Sequence, residues 1–98
     1  MTTTAKASDR LYFVVRSDVG TGRAVAQALH AMDLWVQEHG GHNGTVIVYE
    51  VGSERELLDA MPAKGRSVLW HEPDLDDQPT ALATDAGRMD LMLFGRAA

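Results

Sequence analysis

Cysteine is absent from this chain of 98 residues, which excludes disulfides, thiolate metal ligands and a thiol nucleophile. A protein without disulfides reads most simply as intracellular, here cytoplasmic. Long apolar runs are missing too. Stretches such as Leu11 to Val15 are far too short to span a bilayer, so no membrane association is expected. The first nine residues, Met1 to Asp9, are polar and lack the apolar centre of a signal peptide. They read as a flexible arm before a single domain over 10–98. Basic residues are few, nine Lys and Arg against fourteen Asp and Glu. Residues 1–49 carry four of each sign, and residues 50–98 carry five basic and ten acidic side chains. No broad positive surface is available to attract a polyanion, so any nucleic-acid contact has to come from a local set such as Arg10, Arg16 and Arg23.

What is present is a regular alternation of elements. Arg10 to Arg16 is aromatic and β-branched on both sides of the pleat and predicts a buried strand. Ser17-Asp-Val-Gly-Thr-Gly22 breaks it, and Arg23 to Glu38 predicts a helix capped by Thr21. Val25, Leu29, Met32 and Val36 give that helix an apolar stripe, widened by Ala24, Ala28, Ala31 and Trp35, and the small alanines let it lie close against a sheet. Gly40 to Gly44 stops it. Thr45–Val51 predicts a second strand. Ser53 with Glu56 has capping-box spacing and opens a short helix over 54–61, with Leu57, Leu58 and Met61 as its stripe. Ser67–Trp70 and Thr80–Thr84 predict two further strands, separated by the polar loop 71–79. Asp85 to Phe94 predicts one or two helical turns. The order strand, helix, strand, helix, strand, strand defines an α/β domain: a three-layer α/β/α sandwich on a mixed four-stranded sheet. The first strand is central, and the last is antiparallel because only a short loop precedes it.

Two places concentrate chemistry. Gly20-Thr21-Gly22-Arg23 joins a strand to a helix start, where free amides favour an anion; the plain alternative is a tight turn whose glycines serve geometry. Arg16 and Asp18 flank it and can pair with each other or with a ligand. His30 lies two helical turns beyond Arg23, with Gln27 between them, and reads either as a satisfied core histidine or as part of a polar edge. The loop 71–79 holds His71, Glu72, Asp74, Asp76 and Asp77 without the spacing of an EF-hand or of a His-Glu-x-x-His site, so no metal is expected. Glu72 and Asp74, nearest the end of the third strand, are the acids best placed to face the Gly20 turn. No serine sits in a nucleophile-elbow pattern, so hydrolysis here would use an activated water.

Val14-Val-Arg-Ser-Asp18, then Gly22-Arg23 and Ala26-Gln-Ala-Leu-His-Ala31 resemble the opening of type 2 peptidyl-tRNA hydrolases, whose pattern runs Val-Val-Arg-Thr-Asp, Gly-Lys-Gly-Lys, Ala-Ala-Gln-x-x-His-Ala. Glu72 to Ala83 is similar to a small bacterial branch of that family. The resemblance covers residues 10–84 and implies a sandwich fold. It also implies hydrolysis of the ester between peptide and tRNA, with no cofactor or metal, and the tRNA 3′ end as partner. Paired protomers, a homodimer, are compatible with it. By position it implies Arg16, Asp18, Gly20, Thr21, Gly22, Arg23 and Gln27 as substrate-binding residues and His30, Glu72 and Asp74 as catalytic ones. Thr21 stands where the family has its first loop lysine, and Glu72-Pro-Asp74 fills the slot of its Asp-Ala-Gly-Arg-Thr-Gln element. Asp85-Ala-Gly-Arg88 spells part of that element one strand later and reads as a decoy, with Asp85 the next acid to test after Glu72 and Asp74. The alternative is a non-catalytic relative that binds an RNA end or a protein.

Overall fold

The computed structural model describes residues 10–42, 44–63, 65–85 and 96–97. The expected N-terminal arm and the helical turns after Asp85 lie outside the described residues. Strand β1 (Leu11–Arg16) leads through a 3-10 turn, Ser17–Val19, into helix α1 (Thr21–His39). Strand β2 (Val46–Val51), helix α2 (Glu54–Asp59), strand β3 (Ser67–Glu72), a 3-10 turn at Pro73–Leu75 and strand β4 (Gln78–Thr84) follow. The expected four-stranded mixed sheet is present with a two-residue fifth strand, β5 (Arg96–Ala97), added beside β2; the order is β3-β4-β1-β2-β5.

The last long strand is antiparallel, as its short connection requires. β4 runs against both β3 and β1, while β1 and β2 are parallel in the register Leu11↔Val46 to Arg16↔Val51. β1 is therefore an inner strand, and all six of its residues are buried. Its side chains alternate between two cores. Leu11, Phe13 and Val15 pack with Ala24, Ala31, Trp35, Val68, Ala81 and Ala83 on the α1 face. Tyr12 and Val14 pack with Tyr49, Val51, Leu57, Ala60 and Leu82 on the α2 face. An unbroken apolar run is what a strand covered on both faces requires.

Helix α1 lies on the sheet with its alanines and Trp35 and turns the row of Val25, Leu29 and Val36 away. Ala24, Gln27, Ala31 and Trp35 are buried, whereas Val25, Leu29 and Val36 are 58%, 67% and 44% exposed. Both rows have helical spacing and differ by about 100° of rotation, one residue. The sheet beneath is already filled by Phe13, Val15 and Trp70, and only the alanine row lets the helix axis approach it. Nor is Thr21 the cap. The N-cap is Gly20, with φ +95° and no side-chain bond, and Thr21 is already helical. A positive φ at that junction selects glycine over any residue with a Cβ.

Elsewhere local chemistry acts as its residue types dictate. Ser53 caps α2, its Oγ accepting from the Glu56 N–H at 3.1 Å. Leu57 of the expected stripe is fully buried, while Leu58 and Met61 stay largely exposed. The loop expected over 71–79 is shorter, because β3 runs to Glu72 and β4 begins at Gln78. Asp76 and Asp77 take left-handed φ values of 55° and 58° and close this hairpin, a conformation that aspartate tolerates better than most residues. An irregularity between Trp70 and His71 leaves Thr80 unpaired between His71↔Pro79 and Trp70↔Ala81. Such a bulge accommodates a proline, which has no ladder N–H to give.

Candidate active site between helix α1 and the β3–β4 hairpin

Parallel direction puts the ends of β1 and β3 at the same edge of the sheet, and α1 starts there. The side of α1 that carries Arg23, Gln27 and His30 turns toward β3. Together with Ala26 from α1 and Glu72, Asp74 and Leu75 from the hairpin, these residues line a cleft of about 220 Å³. Five polar residues proposed from sequence thus meet at one place, although Gln27 and Glu72 are 45 positions apart.

Glu72 is the best-held group of the cleft. It is buried, 8% exposed. Its Oε2 accepts from Trp70 Nε1 at 3.0 Å, and its Oε1 accepts from the Asp74 N–H at 3.3 Å, capping the 3-10 turn. These donors lower the carboxyl below the ordinary glutamate range. The Trp70 bond contributes most, burial opposes it, and the Asp74 N–H, a bond from Gln27 and the nearby His30 add to it. Gln27 is itself buried, and its Oε1 accepts from Thr80 Oγ1 at 2.9 Å. That bond fixes which way the amide points and turns its NH₂ to the other side. His30 is exposed on α1 but stacks on Trp70, with ring centroids 4.7 Å apart and an interplanar angle of 19°. Arg23 is exposed, and no ion pair to it is found among the described residues. Asp74 is exposed at the cleft rim.

The other proposed residues do not line the cleft. Arg16, 7% exposed, spends its guanidinium inside the protein: Nε and Nη2 donate to Asp18 at 2.9 and 2.8 Å, and Nη1 donates to Gln78 Oε1 and the Pro79 carbonyl. It ties the end of β1 to the start of β4. Gly20, Thr21 and Gly22 form the junction and first turn of α1, beside Arg23. Asp85, the residue of the partial motif that the structure describes, binds Arg66 through its carboxylate at 2.7 and 2.8 Å, at the end of the β3–β4 ladder opposite Glu72. Trp70 and Thr80 were missed by sequence reading. Alternation along Val68, Trp70 and Glu72 puts all three on one face of β3, a signal visible in the sequence once the strand is known to reach Glu72.

Asp18 and Asp85 also set the acid stability. The Arg16 hydrogen bond, opposed by burial and assisted by the Arg16 charge, lowers Asp18. For Asp85 burial is the largest influence and acts upward, but the side-chain bond, N–H and charge of Arg66 together leave it lowered. A carboxyl lowered on folding gives stability that is whole above its unfolded pKa and is lost as pH falls through its folded one. Unfolding midpoints in urea should therefore hold steady from pH 7 to 5 with respect to these groups and fall below about pH 4. Asp85→Asn should weaken the protein at pH 6 and lose less than the parent on going to pH 3. An equal loss in both would show that the Arg66 clamp does not contribute.

Among the described residues, no group of three or more His, Asp or Glu side chains is arranged to hold a metal ion, and no helix is long and apolar enough to cross a membrane. No family model matches this chain, and no curated protein matches it.

Proposed function

We propose that this cleft hydrolyses the ester joining a peptidyl group to the 3′ end of tRNA. The observation that carries the reading is the convergence of a cation, an imidazole and a fixed, ionised carboxylate on one cleft: Arg23 and His30 from α1, Glu72 from the hairpin. The resemblance of residues 10–84 to type 2 peptidyl-tRNA hydrolases supplies the substrate class. A carboxylate held below the usual range is a poor base at neutral pH, so Glu72 acts by accepting a hydrogen bond from the attacking water and aiming it at the ester carbonyl. Imidazole takes up and releases protons near neutrality. His30 receives the proton of the water as its oxygen bonds to the carbonyl carbon, then delivers it to the ribose oxygen as the ester C–O bond breaks. Arg23 neutralises the terminal phosphate.

Arg23→Ala tests the phosphate contact directly. It should weaken binding of a tRNA 3′-end oligonucleotide and reduce the slope of log affinity against log salt by about one unit. Unchanged affinity and slope would remove Arg23 from the site. Because the chain is net acidic, the parent slope itself should be shallow.

One observation favours a second reading, a module that binds an RNA end without cleaving it. Glu72 already accepts from Trp70 and Asp74, one donor on each oxygen, which is also how a purely structural cap is used. Oligonucleotide binding by a protein with no turnover of peptidyl-tRNA would decide for that reading.

A further inference from the structure

We propose that Trp70 is the positioning residue of this cleft, holding Glu72 through its indole N–H and His30 through its ring face, so that one rigid side chain sets the carboxylate and the imidazole relative to each other. The proposal rests on the hydrolytic reading only for its kinetic consequences. Its geometric basis is independent. Trp70 Nε1 lies 3.0 Å from Glu72 Oε2, and the His30 ring lies nearly parallel to the indole at 4.7 Å. Trp70 is partly buried against the α1-face core, so its plane is held by packing.

The two contacts act differently. An indole N–H donates and cannot accept, so it stabilises the ionised carboxylate specifically. The ring face gives the imidazole of His30 a flat surface to stack on and so fixes its plane. Trp70 therefore acts on both groups at once, keeping Glu72 charged and holding the His30 ring in a fixed plane beside it. The charged and titratable groups facing this pair are Arg23 from α1 and Asp74 from the hairpin. Strand periodicity is the reason one residue can do this. Trp70 and Glu72 are two apart on β3 and share a face, and that face is the one α1 covers with His30.

The experiment combines nuclear magnetic resonance with kinetics. In the parent protein the Trp70 Nε1–H resonance should be protected from exchange and should shift with a carboxyl titration below the ordinary glutamate range, and the Trp35 indole should not follow it. An unprotected, non-titrating Trp70 Nε1–H would overturn the proposal without any variant. Trp70→Phe keeps a ring for His30 and removes the donor. Glu72 should then titrate higher, and the acid limb of the kcat/KM profile should move up with it. The kcat should fall about tenfold while KM stays within about twofold. Trp70→Leu also removes the stack, so the His30 ring protons should lose the ring-current shift that the Phe variant keeps, with kcat falling about threefold more. A merely structural tryptophan would lower thermal stability in both variants and leave the Glu72 titration and the His30 ring shifts where they were, which would refute the positioning role. A parent that lacks turnover yet shows the expected resonance behaviour would sink the hydrolytic reading and uphold the hold of Trp70 on both groups.

Discussion

Glu72→Gln should lower turnover of peptidyl-tRNA by about 10²-fold or more, the range of a lost acid–base or water-orienting group. Glutamine matches the size of glutamate but offers one acceptor oxygen where the site directs a donor at each carboxylate oxygen, Trp70 Nε1 at Oε2 and the Asp74 N–H at Oε1. Its NH₂ would confront one of them, so some stability should be lost as well, and urea midpoints must be read beside the rates. Asp74→Asn is the comparison, because Asp74 lines the same cleft and sits one proline away. Parental turnover in Glu72→Gln with an inactive Asp74→Asn would transfer the role to Asp74. Intact turnover in both would end the idea of a water-orienting carboxylate in this hairpin. Asp85→Asn serves as the negative control and should turn over like the parent, since its carboxylate binds Arg66 at the far end of the β3–β4 ladder.

Trp35→Ala should cost about 3–5 kcal/mol of folding stability, as expected for emptying the site of a buried large aromatic. Trp35 is 3% exposed on the row of α1 that meets the sheet. The His39 ring lies 4.4 Å from it, and the Arg66 guanidinium stands over it at 5.2 Å. A domain of this size has only about 5–15 kcal/mol in total, so the variant should be partly unfolded at ambient temperature. Leu29→Ala is the informative partner. At 67% exposed it should change stability by no more than about 0.5 kcal/mol, although leucine is the more apolar side chain. Denaturant midpoints for the two variants test the orientation of α1 directly. A large loss at Leu29 with a small one at Trp35 would mean that the helix packs on the other row.

These two experiments divide along what the chain reveals of itself. β1 was legible because Leu11 to Val15 has no polar face, and the cap of α2 because Ser53 and Glu56 carry their own partners. The antiparallel last strand followed from the short connection before it. Each is a local property, fixed by neighbouring residues and backbone sterics. For the cleft, the residue types Arg23, Gln27, His30, Glu72 and Asp74 were readable as candidates, but their meeting was not.

Hydrophobic period, capping and turn chemistry operate over a few residues, and they specify the helices and strands between Leu11 and Thr84, the mixed sheet and its two covered faces. Other features arise only when distant segments meet. The alanines of α1 announced a close approach to the sheet, but that Val25, Leu29 and Val36 would be left outside was settled by the filled surface beneath. Arg16 found its inward partners only when folding brought Gln78 and Pro79, 62 and 63 residues away, to its Nη1. Trp70 had no visible task until β3 reached Glu72 and α1 brought His30 over the indole. Packing and hydrogen-bond satisfaction are properties of surfaces brought together from distant parts of the chain, and no local pattern encodes them.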